Sequence, residues 1–92
     1  VTEDRDWETI GFVQSSRYRC EVLEALEEHP KTPSTLAEET GSGIAHLSRA
    51  LSSLRDRGLV DLLVEEGRKK GRIYGLTDDG KEIAAAIQEV TV

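Results

Sequence analysis

The sequence is short of the residues that staple, ligate or span. A single cysteine, Cys20, in 92 residues excludes an intramolecular disulfide. Two histidines, His29 and His46, with no second cysteine, leave no set from which a structural zinc site could be built, so no metal is expected. No apolar run approaches the ~20 residues that cross a bilayer, and the amino-terminal stretch has no signal-peptide pattern; a cytoplasmic location with no membrane partner is expected. Aromatic residues make up 4% of the chain and the net charge is −6, a composition that suggests a high-salt cytosol such as a halophile's. No Ser/His/Asp set, paired-carboxylate pocket, P-loop or nucleotide fingerprint can be assembled, so no enzyme or cofactor is expected, and no small-molecule effector is evident.

What is present is 37% apolar and 33% charged, which suits one small domain over residues 1–92 with a modest core and a heavily charged surface. The charge is unevenly spread. Residues 1–40 hold four Lys/Arg against ten Asp/Glu, residues 41–76 hold seven against four, and residues 77–92 hold one against four. A basic centre on an acidic body attracts phosphate locally, because salt confines surface fields to about 8 Å.

In chain order, residues 1–14 read as a short helix or an extended arm, with Trp7, Ile10, Phe12 and Val13 apolar among acids. Ser15 or Ser16 caps a helix running to about Glu28, whose apolar stripe is Tyr18, Val22, Ala25 and Leu26 and which Pro30 closes. Cys20 falls off that stripe and has no partner to activate it, so packing is its expected role. Arg17 and Arg19 sit at the start of this helix, against its dipole, a small hint of an anionic partner. Thr32-Pro33 is a helix start, Leu36 and Ala37 face inward, and Gly41-Ser42-Gly43 ends the helix in a turn. From about 43 to 57, Ile44, Leu47, Leu51 and Leu54 recur at helical spacing and form a stripe to be buried. Ala45, Arg49, Ser52 and Asp56 lie opposite, with His46 and Ser53 at the edge. Gly58 follows, able to take the left-handed conformation that ends a helix.

Two short apolar runs, Leu59 to Val64 and Arg72 to Leu76, flank GRKKG at residues 67–71 and read as a β-hairpin with a basic tip. Thr77 caps a last helix over 78–92, with Asp78 and Asp79 in its positive first turn. Its stripe of Ile83, Ile87 and Val90 exceeds what one small core covers, so a second copy of the chain is its expected partner. The fold class is therefore mainly α with a small β-hairpin: a three-helix core, a two-stranded wing and a C-terminal helix.

A short helix, a glycine turn, a second helix and a basic hairpin, carried by TPSTLAEETG, HLSRALSSLRDRGLV and GRIYGLTDDGKEI, resemble the winged helix-turn-helix transcription regulators of the archaeal MarR/ArsR-like type over roughly residues 15–90. The resemblance implies sequence-specific binding of double-stranded DNA as a homodimer, with the recognition helix in the major groove and the wing on the backbone or minor groove. Arg49 has the planar fork that pairs with guanine, and Ala45 and His46 are placed beside it for base readout. Ser42, Gly43 and Ser53, with Arg68, Lys69, Lys70 and Arg72 of the wing, are assigned to the DNA backbone. Trp7, Phe12, Ile83, Ile87 and Val90 are the candidate dimer contacts. The chain departs from the family at Ser42, where an aliphatic residue usually follows the turn glycine; either the turn packs differently or Ile44 fills the gap. A winged helix that binds another protein rather than DNA is the alternative, favoured by the acidic body.

Overall fold

A computed structural model describes residues 3–63 and 72–91, with side chains described for residues 7–63 and 72–88. The elements run α1 (Glu3–Gln14), α2 (Arg17–Leu26), α3 (Pro33–Thr40), α4 (Ile44–Asp56), β1 (Val60–Leu62), β2 (Tyr74–Leu76) and α5 (Asp78–Thr91). The first segment is thus a helix rather than an extended arm. Ile10 and Val13, three residues apart, lie buried in the core and give α1 its inward face.

Local chemistry sets the boundaries. The Ser16 hydroxyl accepts from Arg19 N at the start of α2, Thr32 accepts from Thr35 N at the start of α3, and Thr77 accepts from Gly80 N at the start of α5. Gly41 at the end of α3 has φ 76° and Gly58, just after α4, has φ 77°, values that favour a residue without a Cβ. The core joins Ile10 and Val13, Val22, Leu23 and Leu26 of α2, Leu36 of α3, Leu47, Ala50, Leu51 and Leu54 of α4, Leu59 and Val60, and Ile83 and Ala84 of α5. α4 packs against both α2 and α3, so its buried stripe is the middle of the core.

The strands pair antiparallel, Val60 with Leu76, Asp61 with Gly75 and Leu62 with Tyr74. They are shorter than the apolar runs suggest. Leu59 is instead drawn into the core, where its carbonyl accepts from Thr77 N at 3.1 Å. On the other side of β2, Tyr74 exchanges two backbone hydrogen bonds with Lys31, 3.0 and 2.9 Å, so the residue before the cap of α3 adds a bridge to the edge of the small sheet.

That bridge holds a buried cation. The Lys31 side chain is 1% exposed, and its Nζ donates to Glu28 Oε1 at 2.8 Å and Glu39 Oε1 at 2.6 Å. The hydrogen bond to Glu28, followed by that to Glu39, raises its pKa above the ordinary 10.5 against the opposing effect of burial. A folded value above the unfolded one means that this contribution is full below about pH 10.5 and is lost as pH rises through the folded value. Thermal melts from neutral to strongly alkaline pH should show a steeper alkaline decline for the wild type than for Lys31→Met. Parallel curves would remove Lys31 as the group responsible.

Candidate nucleic-acid interface

On α4 the buried residues Leu47, Ala50, Leu51 and Leu54 occupy one side. At about 100° per residue the opposite side is centred on Ala45, Arg49, Ser52 and Asp56, all exposed. His46 and Ser53 fall at one edge of this face, and Ile44 and Arg55 at the other. From Ala45 to Asp56 the helix therefore turns small and polar groups outward, and its first residue, Ile44, is the apolar exception. Its start differs from those of α2, α3 and α5: Gly43 is the capping residue, with φ −66° and ψ 140°, and supplies no side-chain hydrogen bond. The first-turn N–H groups of a helix end in partial positive charge, and here no hydroxyl covers them.

The edge bearing His46 and Ser53 faces α2. The His46 ring stacks on Tyr18 with centroids 4.5 Å apart and planes 2° from parallel. Ser16, Tyr18, Arg19, His46, Arg49, Ala50 and Ser53 enclose an open depression of about 250 Å³ between the start of α2 and the outer face of α4. Two arginines and two serines thus line one hollow. Arg19 is held from behind: its Nη1 donates to Phe12 O at 2.8 Å and Ser15 Oγ at 3.0 Å. Its guanidinium lies 3.9 Å from the Phe12 ring centroid, and that of Arg57, just after α4, lies 4.1 Å from the same ring. One ring therefore ties α1 to the start of α2 and to the end of α4.

Several expectations need correction. Ser42 is buried, and its hydroxyl donates to Glu21 Oε1 at 2.6 Å while its N–H donates to Thr40 Oγ1 at 3.2 Å. Both of its polar groups are used within the chain, so it is not offered to a DNA backbone. The other oxygen of Glu21 lies 3.6 Å from Arg17 Nε, which places one carboxylate between the start of α2 and the turn. Ile44 does not fill the place expected of an aliphatic residue; it is 50% exposed, and the turn packs differently, around Ser42. Ile83, a candidate dimer contact, is 5% exposed in the chain's own core. Phe12 is half-buried beneath its two guanidinium groups.

The remaining candidates divide by position. Gly43, Ala45 and Arg49 lie exposed along α4, and Arg72 is exposed just before β2. Trp7 is 61% exposed on α1 and Ile87 is half-buried on α5. Arg68, Lys69 and Lys70, and the side chain of Val90, lie outside the described residues. Cys20 is half-buried, with its thiol donating to Val13 O at 3.5 Å; burial first, then the charges of Glu24 and Glu21, push its pKa up and keep it protonated. Among the described residues no group of three His, Cys, Asp or Glu is placed to hold a metal ion, and no helix is long and apolar enough to cross a membrane. Glu21, Lys31 and the Tyr18 stack carry weight that sequence periodicity does not signal.

Five helices, with a glycine turn between α3 and α4, and a two-stranded antiparallel sheet make this a winged helix-turn-helix fold. Residues 7–92 match the family described as the HVO_A0261 N-terminal domain, and the chain belongs to that family. Among solved structures it is similar to NMB1585, a MarR family regulator from Neisseria meningitidis, with 25% identity and a TM-score of 0.74 over 91% of this chain and 60% of that one. It is also similar to quinone-bound YodB from B. subtilis, with 22% identity and a TM-score of 0.76 over 92% of this chain and 90% of that one. The adhesin competence repressor AdcR from Streptococcus pyogenes matches with 18% identity and a TM-score of 0.73 over 98% and 70%. The chain spans between 50% and 60% of the length of several such structures, NMB1585 included. Comparison with curated protein sequences gives no match.

Proposed function

We propose that this chain is the sequence-specific, double-stranded DNA-binding unit of a transcription regulator, acting as a homodimer. The observation that carries the reading is the outer face of α4. It is small and polar from Ala45 to Asp56, lies opposite the buried stripe, begins without a hydroxyl cap and runs beside the hollow of Arg19 and Arg49. In this reading α4 enters the major groove with Ala45 and Arg49 toward base edges. The hollow takes a phosphate between Arg19, His46 and Ser53, which moves His46 from base readout to the backbone because its ring is committed to Tyr18. The uncapped start of α4 at Gly43 offers N–H groups to a second phosphate. Arg68, Lys69, Lys70 and Arg72 of the wing lie on the backbone. Exposed Trp7, with half-buried Ile87, supports a second copy packing along α1 and α5.

The test is selection of bound sites from random duplex DNA at low and high salt. A palindromic site is expected. Arg49→Ala should lose about 1–3 kcal/mol on the selected site and much less on random duplex. Joint alanine replacement of Lys69 and Lys70 should weaken all duplexes alike and flatten the salt dependence, by about 0.9 in slope per phosphate contact removed. Failure to enrich any duplex would favour the protein-binding alternative, and equal losses for Arg49→Ala on both duplexes would reassign Arg49 to phosphate.

A further inference from the structure

We infer that Ile44 is a specificity-determining residue that reads the 5-methyl group of a thymine in the major groove; this rests on the DNA-binding reading above. Ile44 is the first residue of α4 and is 50% exposed, one of three large hydrophobic side chains so exposed among the described residues, with Trp7 and Leu63. The core does not require it. Leu47, Ala50, Leu51 and Leu54 complete the buried side of the helix, and Ser42, bonded to Glu21, fills the turn.

Its surroundings leave it facing outward without competition. Gly43 before it has no side chain, Ala45 after it has one methyl, and Ser48, four residues on and therefore on the same side of the helix, is small and exposed. In helix-turn-helix docking the first-turn residues of the second helix are those that reach base edges. A side chain with neither donor nor acceptor cannot read guanine O6 and N7 or the adenine edge. The apolar feature of the major-groove edge is the thymine methyl, so the chemistry of Ile44 selects that group. Its β-branch fixes χ1 on a helix, so little rotamer freedom remains to be lost when the methyl is contacted. Arg49 and Ile44 then divide the labour: one side chain accepts a guanine by its hydrogen bonds, the other a thymine by its methyl.

The test uses the duplex that the wild-type chain selects from a random library, with each thymine replaced in turn by deoxyuridine, which deletes only the methyl. At one thymine of each half-site the wild type should bind roughly three- to fivefold more weakly to the uracil duplex, the effect of removing one buried methyl. Ile44→Ser should bind thymine and uracil duplexes equally, and Ile44→Val should keep most of the discrimination. Unchanged thermal melting of free Ile44→Ser would show that the loss is at the DNA. Discrimination that persists in Ile44→Ser, or a selected site with no methyl-sensitive thymine, overturns the inference. A wild type that enriches no duplex overturns the DNA-binding reading itself and this inference with it.

Discussion

Replacing Gly80 by alanine is expected to cost about 3 kcal/mol or more of stability, at or beyond the upper end of what overpacking usually costs. Gly80 lies in the first turn of α5, and its φ is not positive, so backbone conformation is not the reason. The reason is proximity: a Cβ there would stand 2.0 Å from Leu59 O and 3.0 Å from Leu59 C. These are backbone atoms with no rotamer to change. Leu59 is itself fixed, because its N–H donates to Leu54 O at 2.9 Å, its carbonyl accepts from Thr77 N, and its side chain is buried. The whole of α5 would have to move off the exit of α4. Gly11, with nothing within 4 Å of its notional Cβ, is the control; alanine there should be neutral or stabilise α1 by up to about 1 kcal/mol. Denaturant midpoints of the two variants measure the contrast. A Gly80→Ala chain within about 1 kcal/mol of wild type would contradict the packing of α5 on Leu59.

Leu51→Ala should cost about 2–5 kcal/mol, the range for truncating a large core aliphatic without collapse of the cavity. Leu51 is 2% exposed on the helix that packs against both α2 and α3, and its neighbours along the stripe, Leu47 and Leu54, are fully buried. Since a small domain has about 5–15 kcal/mol of total stability, this one truncation removes a large share of it. Ile44→Ala, on the same helix and in the same sequence periodicity, should cost far less because Ile44 is half exposed. Equal losses at the two positions, read by thermal or chemical unfolding, would mean that Ile44 also belongs to the core.

These two leucine-like positions show how far the sequence could be read. Boundaries set by one or two residues were legible: Ser16, Thr32 and Thr77 cap the helices they begin, and Gly41 and Gly58 take positive φ where the helices end. So was the buried stripe of α4, except at the first member, Ile44. Periodicity reports which side of a helix could be buried, whereas burial also needs a neighbour to cover that side, and at Ile44 half of the side chain is left uncovered. The role of Lys31 is hidden in the sequence for a similar reason. A lysine reads as surface, yet Glu28 and Glu39 converge on it and Tyr74 pairs with its backbone from forty-odd positions further along the chain. The site itself was legible as a list rather than as an arrangement. Arg49 and Ser53 could be placed on one side of α4, but Tyr18 and Arg19 join them only once α2 lies across it.

Ser42 has a consequence for any exchange of parts among relatives. Its hydroxyl satisfies a carboxylate on another helix, so residues 21 and 42 form a single unit although 21 positions separate them. A helix-turn-helix segment transplanted from a protein with an aliphatic residue after the turn glycine would leave Glu21 facing an apolar neighbour. Glu21 would then keep Arg17 alone as its partner in this region. α4 of this chain is therefore not a detachable cassette, and its outer face can be altered from Ile44 onward while the turn and Glu21 are kept together.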